Sequence, residues 1–137
     1  MNIHYLAGLF DGEGSVSIYK IKKNRNPQYV LKIKIYSTKK KILNEIKEEF
    51  GGSIIKKDKQ KNNHKSCYYW TTTTKKAKRV LNAMLPDLRI KQEHAKLAIE
   101  FQNREKYRGG RRGQSNRELE FKERCYLKMK NLNIRGI

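Results

Sequence analysis

Residues 29–37, YVLKIKIYS, alternate without a break. Leu31, Ile33 and Ile35 fall on one side; Val30, Lys32, Lys34 and Tyr36 fall on the other. A period of two marks a β-strand with one face in a core. The opposite face here is cationic and aromatic. Whatever else the chain does, it has to fold so that these two unlike faces are kept apart.

The flanking segments supply the means. Residues 3–11 read as a short apolar helix, with Gly12 and Gly14 ending it, and residues 15–22 alternate like a strand. KKNRNPQ (22–28) is a turn, with Pro27 and two asparagines. Residues 37–52 form an amphipathic helix, with Ser37 or Thr38 as its cap, Ile42, Leu43, Ile46 and Phe50 as its stripe, and Gly51–Gly52 as its stop. Residues 53–74 read as a hairpin with a basic loop. Its second strand sets Tyr68, Trp70 and Thr72 on one face and Cys67, Tyr69 and Thr71 on the other. Residues 75–85 are a helix stopped by Pro86, and 89–105 another. YRGGRRGQSN (107–116) is a Gly/Arg loop, and 117–132 is a last helix.

The order is αββαββα followed by further helices, which places the chain in the α+β class. The expected architecture is an antiparallel sheet saddle with helices on the opposite face. Residues 1–137 form one domain, with its core in 1–105. The exposed sheet face is expected to carry Ser15, Ser17, Tyr19, Lys32, Lys34, Tyr36, Tyr68 and Trp70, although Trp70 suits the core equally well. A two-stranded ribbon fits the major groove of DNA, and this face offers donors, positive charge and aromatic surface.

Charge narrows the partner. The chain holds 33 Lys+Arg against 13 Asp+Glu, a formal charge of +20. Self-repulsion on that scale opposes compaction, and a polyanion is the usual reason for it. No apolar run approaches the roughly 18 residues of a membrane span, and Asp11 and Glu13 interrupt any signal-peptide pattern. No membrane partner is expected. The two cysteines, Cys67 and Cys125, suggest no disulfide framework and a reducing, intracellular setting: cytoplasm, or an organelle matrix or stroma. His64 and Cys67 alone make a poor zinc site.

Against this background, LAGLFDGEG (6–14) stands out, with two acids each followed by glycine. It resembles the signature of the LAGLIDADG homing endonucleases. Leu6, Ala7, Gly8, Leu9, Asp11 and Gly14 are identical to the family name; Phe10, Gly12 and Glu13 depart from it. The αββαββα order and the segment LPDLRIKQEHAKL (85–97) are similar to the family as well.

The resemblance implies a fold, a dimer and a site. The chain has one motif, so the second motif helix would come from another copy, making a homodimer. Leu6, Gly8, Leu9 and Gly12 would lie at its interface, where Gly8 and Gly12, four apart, let two backbones approach. The target would then be long, double-stranded and near-palindromic. The implied catalytic residues are Glu13, Lys91 and Asp11. Glu13 and the Gly12 carbonyl are the implied metal ligands, and Lys91 the lysine near the cut. Asp11 is open between a cap, a structural hydrogen bond and a place near the metals. The implied cofactor is Mg²⁺, two or more ions shared across the dimer, with Mn²⁺ as a substitute. Arg89 and Gln92 flank Lys91, and Ser37 to Lys41 fall where solvent-ordering groups sit. Arg111 and Arg112, with Arg108, would follow phosphates from the Gly/Arg loop.

The implied activity is a site-specific double-strand break with short 3′ overhangs, promoting homing of an intron or other mobile element. Without a flanking splicing domain, an intein host is disfavoured. The alternatives are an intron RNA maturase and a non-cleaving DNA-binding protein on the same fold. A basic ribosome-associated protein is a more distant one.

Overall fold

The computed structural model describes residues 1–23, 26–57, 67–104 and 115–134. The elements are α1 (Ile3–Glu13), β1 (Gly14–Lys23), β2 (Asn26–Ser37), α2 (Lys40–Phe50), β3 (Ser53–Lys57), β4 (Cys67–Thr73), α3 (Thr74–Met84), a single 3-10 turn (Leu85–Asp87), α4 (Gln92–Asn103) and α5 (Asn116–Ile134). The expected αββαββα order is present. The four strands form one antiparallel sheet in the order β1-β2-β4-β3. No helix among the described residues is long and apolar enough to cross a membrane.

The alternation in β2 does what its period requires. Leu31, Ile33 and Ile35 are fully buried, and Val16 and Ile18 of β1 join them. Against this face lie Leu6, Ala7 and Phe10 of α1, Leu43 and Ile46 of α2, and Ala77, Val80, Leu81 and Met84 of α3. Ala95, Ala98 and Phe101 of α4 and Phe121, Cys125 and Met129 of α5 complete the core. Both cysteines are free. All the helices thus sit on one side of the sheet, and the other side is left to the polar and cationic residues.

Three boundaries differ from expectation. α1 runs through Gly12 to Glu13, so both motif acids lie in its last turn and not beyond it. Gly14 ends it; a Cβ there would lie 2.6 Å from the Phe10 carbonyl oxygen, so only glycine permits so tight a passage from helix to strand. α2 begins at Lys40, and neither Ser37 nor Thr38 is its cap. Ser37 Oγ instead accepts from the Lys39 N–H at 2.9 Å, in a turn ahead of the helix. Residues 89–91 are not helical; α4 starts at Gln92, for a reason given below.

Trp70 is the main correction to the sheet. It pairs with Ile35 and Ile54 and has no exposed surface. Its indole Nε1 donates to the Gly51 carbonyl at 2.7 Å. Gly52 (φ 91°) lies so close that a Cβ would stand 2.7 Å from that nitrogen. The tight glycine pair after α2 is therefore the seat of the Trp70 ring. Tyr68 shares this side of β4 and packs against the core. Neither Tyr68 nor Trp70 lies on the outward face expected of them.

α5 closes the structure over β1. Ser115 caps it, accepting the Glu118 N–H at its Oγ, 3.2 Å away. Glu123 Oε1 then gathers the Lys20 ammonium and the Tyr29 hydroxyl, the latter at 2.8 Å. The hydrogen bond from Lys20 holds the Glu123 carboxyl below its usual range, against the opposing effect of burial. Asn133 Nδ2 donates to the Val16 carbonyl at 2.9 Å.

Replacing Trp70 with alanine is expected to lower unfolding free energy by about 3–5 kcal/mol. Tyr69→Ala, on the opposite side of the same strand, is expected to cost less than about 1 kcal/mol. Urea unfolding checks both; similar losses would mean that β4 does not have one core face.

Candidate active site and nucleic-acid interface

α1 is a helix with two faces. Asn2 caps its start, its Oδ1 accepting the His4 N–H at 2.8 Å. Leu6, Ala7 and Phe10 turn into the core. Leu6 has no exposed surface, so it is a core residue and not the interface residue expected. Leu9 is half-buried and packs against the same core. Gly8 and Gly12 lie on the open side, where a Cβ would meet nothing within 4 Å. Tyr5, 56% exposed, is also uncovered. This side of α1 is a smooth ridge that another surface can approach closely.

The two acids in the last turn have different surroundings. Asp11 reaches across to the segment before α4. One carboxylate oxygen accepts the Arg89 N–H at 2.9 Å; the other accepts those of Ile90 and Lys91 at 3.1 and 2.9 Å. These amides belong to the turn that leads into α4 and precede its first helical residue. Lys91, at the N-cap position, offers no side-chain cap of its own. Asp11 therefore pins the turn before α4 from another helix, and this turn keeps 89–91 out of the helix. With both oxygens occupied by amides, it is a tether rather than the catalytic group that was one of its expected roles.

Glu13 is exposed and is the last residue of α1. A helix C-terminus carries partial negative charge and free carbonyls. No basic residue lies in the last turn of α1 to offset this. Glu13, the Gly12 carbonyl and the helix end thus add up to a site that favours a cation. Among the described residues, no group of three His, Cys, Asp or Glu side chains surrounds a common point. One chain brings one free carboxylate, which suits Mg²⁺, an ion that keeps waters and accepts phosphate oxygens.

Lys91 is half-buried and joined through its own amide to Asp11, two residues from Glu13. The tether thus sets the lysine and the free acid at the meeting ends of α1 and α4. Gln92 is half-buried beside it and Arg89 is exposed. His94, one turn into α4, is buried, and its Nδ1 has no partner among the described residues. Burial, then the positive charge of Lys91, pull its pKa down, so it is neutral at pH 7. A second contact supports the same corner: His4 Nδ1 lies 2.8 Å from Asp87 Oδ2.

The strand that follows Glu13 opens the outward sheet face. Register aligns Ser15 with Lys34 and Thr71, and Ser17 with Lys32 and Thr73. Tyr19 lies opposite Val30, and Tyr36 opposite Tyr69. The Tyr36 and Tyr69 rings are 5.4 Å apart. Lys32 Nζ stands 4.9 Å from the Tyr19 ring and Lys34 Nζ 4.8 Å from the Tyr69 ring, in cation–π range. Burial works against the Lys34 ammonium, but its contacts with Tyr19, Tyr36 and Tyr69 prevail and its pKa is raised. This is a lattice of fixed charges and rings. Ser15, Ser17, Tyr19, Lys32, Lys34 and Tyr36 all belong to it as expected. Tyr69, Thr71, Ile55 and Lys57 belong to it unexpectedly, in place of Tyr68 and Trp70. The alternation of β4 was readable, and the signal for its polarity was the Gly51–Gly52 pair, which receives an indole. Arg108, Arg111, Arg112, His64 and most of the hairpin loop lie outside the described residues.

Fold and site together define an α+β unit in which an acid-bearing helix heads a cationic sheet face. The profile of the LAGLIDADG endonucleases matches residues 6–86, more than half of the chain, and the chain belongs to that family. No curated protein sequence matches it significantly. Among solved structures, it is similar to the homing endonuclease I-CvuI in complex with its target in the presence of calcium (TM-score 0.69, 16% identity, covering 95% of this chain and 80% of that one). An archaeal intron-encoded homing endonuclease complexed with DNA is also similar (TM-score 0.62, 19% identity, 91% and 96% covered). A third is I-LtrWI bound to target DNA, of which the chain covers 44% (TM-score 0.72, 14% identity, 93% of this chain). At these identities the likeness is one of fold.

Asp11→Ala leaves three amides without their acceptor and is expected to lower stability by about 1–3 kcal/mol. Hydrogen exchange at Arg89, Ile90 and Lys91 should accelerate, with Asp11→Asn intermediate. Unchanged exchange at these amides would contradict the tether.

Proposed function

We propose that the chain is a site-specific DNA endonuclease that acts as a homodimer and makes a double-strand break in a long, near-palindromic duplex. The observation that carries this reading is the position of Glu13: a free carboxylate at the end of a helix with an open glycine side, directly ahead of a cationic sheet face. Two copies joined along Gly8 and Gly12 would bring two Glu13 side chains together and leave the two sheets side by side, as a two-fold target requires.

In this reading the residues divide the work. Ser15, Ser17, Tyr19, Lys32, Lys34, Tyr36 and Tyr69 meet base edges and phosphates in the groove. Glu13 and the Gly12 carbonyl would hold Mg²⁺, or Mn²⁺ in its place, shared across the dimer. When bound, the metal supplies Lewis-acid charge relief at the scissile phosphate and an activated water. Lys91 is held nearby by Asp11, where its ammonium stabilises negative charge developing on the phosphate oxygens. Repair of such a break from a copy carrying the mobile element would promote homing of an intron, with short 3′ overhangs at the cut.

Glu13→Gln is expected to reduce cleavage about a thousandfold, some 4 kcal/mol in the barrier, with target affinity within a few-fold of wild type. A parallel loss of binding would instead make Glu13 part of the interface. Gly8→Leu fills the open side of α1 and is expected to shift the protein from dimer to monomer in sedimentation. A dimer that persists would place the contact elsewhere.

A further inference from the structure

The outward sheet face changes character along its length. Rows of cross-strand neighbours on β1 and β2 lead away from Glu13: Ser15 beside Lys34, Ser17 beside Lys32, Tyr19 beside Val30, and Ile21 beside Gln28. The first two rows each carry a hydroxyl and an ammonium. Lys32 and Lys34 hold their Nζ atoms over the Tyr19 ring, at 4.9 and 5.9 Å. The next two rows contain no charged side chain. The outer of them sets an apolar side chain against an amide: Ile21 is 41% exposed, and Gln28 is exposed beside it.

A lone exposed isoleucine needs no explanation, but the setting of this one is particular. β4 pairs with β2 only over Lys32–Ser37, whereas β1 and β2 stay paired out to Lys23 and Asn26. Ile21 and Gln28 therefore lie on a two-stranded ribbon that projects beyond the sheet, the shape that enters a major groove. The ribbon is also held from behind. Lys20 and Tyr29, the pair next to Ile21 and Gln28, both bond Glu123 of α5 from the core side. The outer row is thus presented outward on a backbone that is fixed before any partner arrives.

We infer that Gln28 and Ile21 together select an A·T base pair in the outer part of each half-site, an inference that rests on the proposed site-specific action on duplex DNA. In the major groove adenine shows its N7 acceptor beside the N6 amino donor, and thymine shows its C5-methyl group. The Gln28 amide carries one donor group and one acceptor, the combination that adenine complements. Ile21 offers only apolar surface, which suits the thymine methyl. Side chains directly opposite on antiparallel strands stand roughly 5 Å apart at Cβ, so the two meet the edges of one base pair. The inner rows read differently: a lysine ammonium is a donor only and suits the O6 and N7 acceptors of guanine. Position follows from the rise of the strand. Ile21 is eight residues beyond Glu13, about 26 Å at roughly 3.3 Å per residue, or about eight base pairs at 3.4 Å each. A strand inclined to the duplex axis covers less, so the pair falls about six to eight base pairs from the centre of the target.

The test is selection of bound duplexes from a randomised library in Ca²⁺, which needs no cleavage, followed by affinity measurements on the selected sequence. Wild type is expected to select A·T at a position about six to eight base pairs from the centre, in both half-sites. Gln28→Arg should select guanine in place of that adenine, because a guanidinium bonds both guanine acceptors. Replacing the paired thymine by deoxyuridine removes only its methyl group. That change should weaken wild-type binding several-fold, whereas Ile21→Ser should bind the two duplexes within about twofold of each other. Both residues are exposed, so both variants should remain folded. No A·T preference in that region, the same base selected by Gln28→Arg, or equal wild-type affinity for the thymine and deoxyuridine duplexes would overturn the inference. A·T selection that follows both changes, with no cleavage of the selected duplex in Mg²⁺, supports the inference and counts against the endonuclease reading alone.

Discussion

The carboxylate of Asp11 is the contact on which the candidate site depends. It joins the last turn of α1 to the amides of Arg89, Ile90 and Lys91, nearly eighty residues away in sequence. A single side chain thereby fixes the turn before one helix from the end of another, and with it the corner where Glu13 and Lys91 belong. An acid at a helix C-terminus is unfavourable on its own. Asp11 is compensated by three amides, while Glu13 has no such partner among the described residues. The two acids of one motif are thus put to opposite uses, one satisfied inside the fold and one left for something outside it.

The same helix organises the rest of the molecule. Its core face holds the sheet through Leu6, Ala7 and Phe10, its glycine face stays open, and its last residue leads directly into β1. With every helix on one side of the sheet, the charge of the chain can be concentrated on the other without entering the core. The tyrosines there carry ammonium groups over their rings, which fixes the positions of Lys32 and Lys34 before any partner arrives. On the core side of the sheet, Lys20, Tyr29 and Glu123 tie β1 and β2 to α5.

The architecture was largely legible in the sequence because hydrophobic period is a local property. The alternation of Leu31, Ile33 and Ile35 and the stripe of α2 were enough to order the elements. What was not legible depended on contacts distant along the chain. Nothing near Trp70 in the sequence shows that its nitrogen will meet the Gly51 carbonyl, so alternation alone puts Tyr68 and Trp70 on the groove face, with Trp70 suiting the core equally well. Leu6 sits in the family signature beside Gly8, yet one faces the core and the other faces outward, a matter of 200° around the helix. The start of α4 at Gln92 is hidden because Asp11 holds the turn before it, which local inspection of residues 89–92 cannot find. The motif singles out Glu13 as a candidate acid, but its contrast with Asp11 needs the fold.

The account turns on the separation of these two acids, and anomalous diffraction from the protein bound to duplex DNA with Mn²⁺ tests it most directly. The account predicts manganese peaks beside the Glu13 carboxylates and Gly12 carbonyls of two copies related by a two-fold axis, with Asp11 still accepting the amides of 89–91. Manganese bound by Asp11, or no peak near Glu13 on bound DNA, would contradict it.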